Sequence, residues 1–506
     1  MQRRHSSLQS RINAILSRSH LYATFLRHAA LPMIGRLQGM PVSATLRALE
    51  QSQWWPPEEL RALQLAKLRR LADHAYAQVP LYRRLWDAHG VRPQDIRSLD
   101  DLARLPLLDK PTLRAAYPDD ALAANIDRRH LVRYASSGST GEPLQFVMTR
   151  AEKGQRWANM FRCWAWAGAY QGVRTANVKD GHALGVFRGG ALQRLEQQAT
   201  RMLNLSAYDV HDQRLEQVVS DLVRFRPEVM FAYPGTAYHL AVALEERGID
   251  LPLHTVITSG EMLHPFQRQA IERQFHCLVH DYYGGEGMDV AMQCGVGSTY
   301  HINAESVIVE VVDAEGQPVP EGQEGSIVLT NLHAYAMPFI RYVVGDVGAL
   351  AGGQCACGRG LPLLDHVAGR SSDQLTLPSG RGLLMWFFTD VFRQMPGVQS
   401  FQMRQVAPDR IIVLVTPGPA FGYLPANAGQ RAAGGPHDLG AFVGLDAALQ
   451  FLRQRLEEQV RGEAALDMAL VESIPLGPGG KHRFFVDDRK ETGFFGKNPV
   501  SGGASP

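Results

Sequence analysis

Between about residues 130 and 370, short apolar runs alternate with amphipathic stretches, and this alternation restricts the fold more than any other feature of the chain. Val229–Tyr233 and Thr255–Ser259 are strand-length runs, and each is followed by a helical pattern, Thr236–Arg247 and Pro265–Phe275. A strand apolar on both sides must be covered on both faces, so strand-then-helix repetition predicts a mainly parallel sheet sandwiched between helices. Val307–Val312 and Ser326–Leu329 flank the turn Asp313-Ala-Glu-Gly316, which reads as a hairpin. Upstream, Pro57–Ala88 carries a helical period with Leu60, Leu63, Leu68, Leu71 and Tyr76 on one face. Downstream of residue 370 a smaller unit begins, with strand-like Arg410–Val415 and helical Leu445–Val460. The expected class is α/β. A basic arm (1–50) precedes a large multi-layer α/β domain (51–369) and a small, mobile α+β domain (370–495) with a loop or insertion at 416–440. A disordered tail (496–506) follows.

Composition agrees with this class. The chain has 506 residues, 45% hydrophobic and 20% charged, which excludes collagen-like, disordered and disulfide-stapled chains. A net charge of +2 gives no case for nucleic-acid binding. Charge is uneven, however: residues 1–49 hold seven arginines and no acidic residue. Such an arm is either a solvated helix or, through residues 1–40 with Leu21, Phe25 and Met33 as an apolar face, a peripheral membrane contact. No apolar run reaches the ~18 residues of a spanning helix, and the order of a signal peptide is missing, so a cytoplasmic protein is expected. Lysine is scarce, with seven against 45 arginines, and Lys481 is the one lysine between Lys179 and Lys490.

The most informative stretch is Tyr134-Ala-Ser-Ser-Gly-Ser-Thr-Gly-Glu-Pro143. Its hydroxyl and backbone N–H donors suit polyphosphate oxygens, although a Ser/Gly-rich loop by itself is compatible with an ordinary surface loop. It is not a Walker loop, because no Gly-Lys-Ser/Thr follows, which excludes a P-loop phosphotransferase. The segment resembles the signature of adenylate-forming enzymes, and five later segments resemble further motifs of that superfamily in the same order. These are Ser259-Gly260-Glu261, Tyr282-Tyr-Gly-Gly-Glu286, Arg341-Tyr-Val-Val-Gly-Asp346, Gly369-Arg370-Ser-Ser-Asp373 and Pro475-Leu-Gly-Pro-Gly-Gly-Lys481. The opening Leu71-Ala-Asp-His-Ala-Tyr-Ala-Gln-Val-Pro-Leu-Tyr-Arg83, and the lack of a lysine after Pro143, are similar to the phenylacetate–coenzyme A ligase and CapK-like branch. The resemblance covers about residues 60–490.

The resemblance implies a role for each matching residue. Ser136, Ser137, Gly138, Ser139, Thr140 and Gly141 would cradle the β- and γ-phosphates of ATP. Ser259, Gly260 and Glu261 would lie against the adenine, with Tyr282, Tyr283 and Gly284 beside it. Glu286 would help hold Mg²⁺, and Asp346 would accept hydrogen bonds from the ribose hydroxyls. Arg370 would bridge the hinge to the nucleotide, and Lys481 would swing in to the α-phosphate and the carboxylate. The implied reaction activates a small-molecule carboxylic acid, aryl or acyl, to an acyl-adenylate with release of pyrophosphate. Transfer to coenzyme A is the expected second step. An amine, a sugar hydroxyl or a carrier is the alternative acceptor, and a catalytically degenerate nucleotide-binding protein is a further alternative. Tyr283 and Gly285 depart from the motif, which removes a hydroxyl expected near the phosphate. Trp164, Trp166, Tyr170 and Tyr233 are either pocket or core aromatics. A homodimer would fit the resemblance.

Five cysteines do not make a disulfide framework. Cys294, His301, Cys355 and Cys357 form a Cys-x₆-His … Cys-x-Cys set that matches a closed structural zinc site, although the spacing is not a standard finger pattern and four unconnected buried residues are the alternative. Cys163 and Cys277 are expected as core thiols.

Overall fold

The structure is a computed structural model describing residues 22–489, apart from 23, 31, 34, 36–37, 137–143, 180–199, 211–213, 371–373, 385–387, 389–390, 393–394, 396, 419–420, 426–438 and 476–481. The chain forms two compact units that divide between Val367 and Ala368.

In the first unit, helices α1 (Val42–Ser52), α2 (Pro57–Gln78), α3 (Pro80–Ala88) and α4 (Lys110–Ala116) lead to the hairpin β1 (Val132–Ala135) and β2 (Gln145–Met148). The helical run expected over Pro57–Ala88 is therefore two helices. Val79 is extended, with φ −116° and ψ 109°, as the residue before Pro80 must be. Helix α1, expected within the basic arm, belongs to the fold: Val42, Leu46 and Leu49, spaced as one helical face, cluster with Ala158.

Helix α5 (Arg150–Trp166) follows, then β3 (Thr175–Lys179), β4 (Met202–Ser206), α6 (Leu215–Phe225), β5 (Val229–Ala232), α7 (Pro234–Glu246), β6 (Thr255–Ser259), α8 (Pro265–Phe275) and β7 (Leu278–Gly285). The remaining strands of this unit are β8 (Met288–Gln293), β9 (Tyr300–Ile302), β10 (Val307–Val312), β11 (Gly325–Asn331), β12 (Tyr342–Ala351) and β13 (Leu363–Arg370), whose end crosses the boundary. They form one 11-stranded sheet in the order β10-β11-β12-β13-β9-β8-β7-β6-β5-β3-β4.

The mainly parallel sheet expected from the sequence is instead mixed. Strands β4, β3, β5, β6 and β7 are parallel. From β7 onward the pairs β7/β8, β8/β9 and β9/β13, and also β10/β11/β12, are antiparallel. The physical reason is connection length: helical crossovers join β4 to β5, β5 to β6 and β6 to β7, whereas only Glu286 and Gly287 separate β7 from β8, enough for a hairpin and nothing else. Burial on both faces holds in the parallel half. In β5, Met230 and Ala232 pack with Leu240 and Leu244 of α7, while Val229 and Phe231 pack with Met160 and Trp164 of α5.

The second unit has its own core, built around Phe401, Met403, Ile411, Val413, Leu452 and Leu456. It contains a hairpin of β14 (Gln374–Thr376) with β15 (Gly382–Leu384), and the antiparallel pair β16 (Val398–Ala407) and β17 (Arg410–Pro417). A small ladder of β18 (Tyr423–Pro425) with β19 (Leu439–Phe442) precedes helix α9 (Leu445–Val460). Strands β20 (Ala465–Leu470) and β21 (Phe485–Asp487) then add in parallel to β17 and β16, so this unit is α+β.

Candidate functional site and metal centre

Parallel strands leave a crevice at their carboxyl ends where side chains from several strands converge, and the first unit brings its motif residues there. The register pairs Val178 with Ala232, Ala232 with Thr258, and Ser259 with Tyr282. Ser259 and Tyr282 therefore stand on one rung of β6 and β7, with Lys179 at the end of β3 and Tyr233 immediately after β5. Glu261 turns back to accept the Gly235 N–H at 3.0 Å, placing a carboxylate at the N-terminus of α7 where the helix dipole favours it. Tyr282 is buried in the cluster with Phe231, Ile257 and Met292, so its ring is part of the core.

The β7/β8 ladder shifts register between Tyr283 and Gly284, a bulge whose extra residue, Val290, lies in β8. Glu286 then adopts φ +43°, a strained turn conformation for a residue with a Cβ. The half-buried Tyr283 donates its hydroxyl to Asp346 Oδ2 at 2.7 Å. Asp346 owes its position to another bulge, where Gly345 takes φ +84° and the β11/β12 register slips. Its motif neighbour Arg341 is structural. It is buried against Glu310 at 3.0 Å and donates to the Leu105 and Gly316 carbonyl oxygens.

The phosphate-binding candidate is anchored by Ser136. Its N–H donates to the Leu144 carbonyl and its hydroxyl accepts the Leu144 N–H, both at 2.9 Å, closing the neck of the loop between β1 and β2. Ser137, Gly138, Ser139, Thr140 and Gly141 lie outside the described residues, as does Lys481. Arg370 is the last residue of β13 and belongs to the second unit, just past the boundary.

Three groups near these motifs were not singled out from sequence. Lys110, at the start of α4, reaches the Ser136 hydroxyl at 3.4 Å. Arg156 and Asp289 face each other at 3.6 Å in a cavity that also contains Glu286. Burial pushes the Asp289 carboxyl up although Arg156 pulls it back. Arg156 lies on a helix face and Asp289 in a strand, and no short motif links them.

The four candidate metal ligands do come together. Their ligand atoms all lie within 4.8 Å of one another, with Cys294 Sγ 3.7 Å from Cys355 Sγ and Cys357 Sγ 3.3 Å from His301 Nε2. Tetrahedral zinc with sulfur ligands at about 2.3 Å needs ligand separations of about 3.7 Å, so the donor set fits. His301 sits in β9 between β8 and β13, Cys294 follows β8, and Cys355 and Cys357 lie in the β12–β13 loop. Gly295, at φ +81°, lets the chain turn where a Cβ would stand 2.6 Å from His280 Nε2. Burial, with Arg359 and Arg162 nearby, lowers His301 to about 4, keeping the imidazole neutral as a ligand must be. Arg359 stacks between Trp54 at 5.0 Å and Trp166 at 4.8 Å, and Trp166 meets His301 edge-on at 5.6 Å. Trp166 is thus a wall of this centre, and Trp164 is core, packed on Phe231 at 5.0 Å. Cys163 is buried with its thiol on Asn303, as expected of a core thiol.

No family model matches the chain. It is 30% identical over 454 residues to the phenylacetate–coenzyme A ligase of Thermus thermophilus, spanning 86% of this chain and 98% of that protein. It is 32% identical to the Escherichia coli protein of the same name, over 63% of this chain and 73% of that one. Among solved structures, 2-hydroxyisobutyryl-CoA ligase in its postadenylation state shares the fold, with a TM-score of 0.67 at 22% identity over 86% of this chain and 91% of that one. With that level of identity over nearly the whole Thermus enzyme, the chain belongs to the phenylacetate–coenzyme A ligase branch of the adenylate-forming enzymes.

Proposed function

We propose that this protein is an AMP-forming acid–coenzyme A ligase. A carboxylate oxygen of the acid attacks the α-phosphorus of ATP as the bond to the bridging oxygen breaks, and pyrophosphate leaves. The nucleophile is already an anion, so no proton moves. The thiol of coenzyme A then attacks the acyl carbonyl, losing its proton as AMP departs and a thioester forms. The barrier in the first step is electrostatic, because two anions must meet, so positioned cations and donors are what the protein has to supply.

In this reading the Ser136–Gly141 loop holds the β- and γ-phosphates, and Ser259, Gly260, Glu261, Tyr283 and Gly284 form the adenine side, the Tyr282 ring being core. Asp346 accepts the ribose hydroxyls, oriented by Tyr283. Arg370 steadies the nucleotide at the hinge, and Lys481 meets the α-phosphate and the acid. Glu286 is the Mg²⁺ ligand, a hard carboxylate for a hard ion that would neutralise phosphate charge. Cys294, His301, Cys355 and Cys357 hold a structural zinc that ties the strands after Glu286 to the segment before the boundary. The protein works in the cytoplasm, consistent with the fact that no helix among the described residues is long and apolar enough to cross a membrane. A homodimer and a membrane contact of the basic arm are further parts of this reading.

The observation that carries the proposal is the convergence of Ser259, Glu261, Tyr282 and the Tyr283–Asp346 pair at the carboxyl edge of one sheet. The test is pyrophosphate release from ATP across a panel of aryl and aliphatic acids, with and without coenzyme A. Acid-dependent release that turns over only with coenzyme A is the expected result. Release indifferent to coenzyme A would assign another acceptor, and tight ATP binding with no release would assign a degenerate nucleotide-binding protein.

A further inference from the structure

The cavity that contains Glu286 is bordered by α5, β2 and the β7–β8 turn. Gly287, at φ +76°, seats that turn on the β1/β2 hairpin: a Cβ there would stand 2.2 Å from Met148 Cε and 2.7 Å from Phe146 Cε2. Val147, Met148, Met288 and Phe339 give the cavity apolar walls. Two of its titratable side chains are already engaged. Glu152 accepts the N–H groups of Thr149, Tyr335 and Ala336 at 2.6, 2.7 and 2.9 Å. Burial, with Lys67 beside it, lowers His333 to about 4 and keeps the ring neutral. Arg156 differs. Its Nε lies 3.6 Å from Asp289 Oδ1, longer than a hydrogen bond, and no described residue accepts a hydrogen bond from the guanidinium. The side chain is 36% exposed, so a ligand can reach it. The guanidinium carbon lies 5.9 Å from the centre of the Tyr134 ring, two residues before Ser136 at the neck of the phosphate loop.

We propose that this cavity receives the acid substrate and that Arg156 is its carboxylate anchor, with the apolar body of the acid against Met148, Met288 and Phe339. The inference rests on the ligase reading above. A guanidinium offers a planar fork of N–H donors that matches the two oxygens of a carboxylate. Asp289 holds one edge of that fork and leaves the terminal nitrogens for the substrate. It also cancels the arginine's charge, so the site suits a singly charged carboxylate with a hydrocarbon body better than a polyphosphate. The reacting anion must approach a second anion, the α-phosphate. A fixed cation at its side offsets that repulsion and removes the orientational freedom of the attacking oxygen.

The experiment is pyrophosphate exchange with the most active acid of the panel above, varying acid and ATP separately, on the wild type, Arg156→Met and Arg156→Lys. Arg156→Met should raise the KM for the acid about 100-fold, as loss of one partner of a charged contact does, and leave the KM for ATP within about twofold. Arg156→Lys keeps a cation beside Asp289 but loses the fork, and should raise the KM for the acid about 10-fold. Calorimetric AMP binding reports whether each variant is folded. A second measurement needs no variant: phenylglyoxal labelling of Arg156 in the wild type, read by peptide mass spectrometry, should be blocked by the acid with AMP and not by AMP alone. A higher KM for ATP with an unchanged KM for the acid overturns the proposal, assigning Arg156 to the phosphates. Both KM values unchanged, or labelling indifferent to the acid, also overturn it and leave Arg156 as a partner of Asp289, with the ligase standing. No exchange with any acid overturns the ligase reading, and this one with it.

Discussion

Replacing Asp346 by Asn tests the nucleotide site most directly. The carboxylate sits at a glycine-dependent bulge and is held at 2.7 Å by the Tyr283 hydroxyl. If it accepts both ribose hydroxyls, each charge-assisted bond contributes about 1.5–3 kcal/mol, and the lower end applies because Asp346 is half-buried. Asn keeps one acceptor oxygen, so the expected loss is about 2 kcal/mol, or roughly 30-fold in the KM for ATP. Tyr283→Phe leaves the carboxylate but removes its orienting donor, and should cost about 1 kcal/mol, roughly 5-fold. Because Tyr283 acts through Asp346, the double variant should fall short of the summed losses by about 0.5 kcal/mol or more. The assay is ATP-dependence of pyrophosphate exchange at saturating acid, with calorimetric AMP binding as a readout independent of turnover. An Asp346→Asn enzyme whose ATP KM and AMP affinity stay within about twofold of wild type would refute the assignment, as would strict additivity for the orienting role of Tyr283.

Three further expectations concern other parts of the molecule. Purified protein should carry about one zinc per chain, and Cys355→Ser/Cys357→Ser should lose it with a fall in unfolding temperature of more than about 5 °C; a metal-free wild type of equal stability would remove the centre. Lys481→Ala should slow adenylate formation about 100-fold or more, while thioester formation from supplied adenylate is spared, as for a charge positioned on the first transition state; equal loss in both half-reactions would contradict that role. Arg162→Met breaks a buried pair with Glu305, at 2.6 Å, and should cost about 3–5 kcal/mol in urea unfolding near neutral pH. Burial pushes the Glu305 carboxyl up, but Arg162 more than offsets it and holds it below the usual range, so in the wild type this stabilisation is present above the unfolded carboxylate range and lost as pH falls through the folded value. Without Arg162, burial dominates and the carboxyl rises, so the variant's deficit should narrow as pH falls toward 5; a deficit independent of pH would show that Glu305 is not the group left exposed to burial.

The sequence by itself determined the elements whose cause is local. Thr255–Ser259, Pro265–Phe275, Val307–Val312 and Leu445–Val460 have the bounds their periodicity predicts, because side-chain period and flanking breakers act within a few residues. The order of short motifs likewise marked the family, since each loop's chemistry is written in adjacent residues. Sheet direction was not local. Whether β8 runs with or against β7 depends on connection length and on which edge is free, and only the assembled sheet settles it. The same holds for the contact of Tyr283 with Asp346, for Arg156 facing Asp289, and for Lys179 lying against Ser259 although 80 residues separate them. The four metal ligands were visible as a set, but their approach to within 4.8 Å required β8, β9 and the β12–β13 loop to meet. Local propensity selects strands and helices, whereas the site consists of side chains that only sheet register brings to one edge.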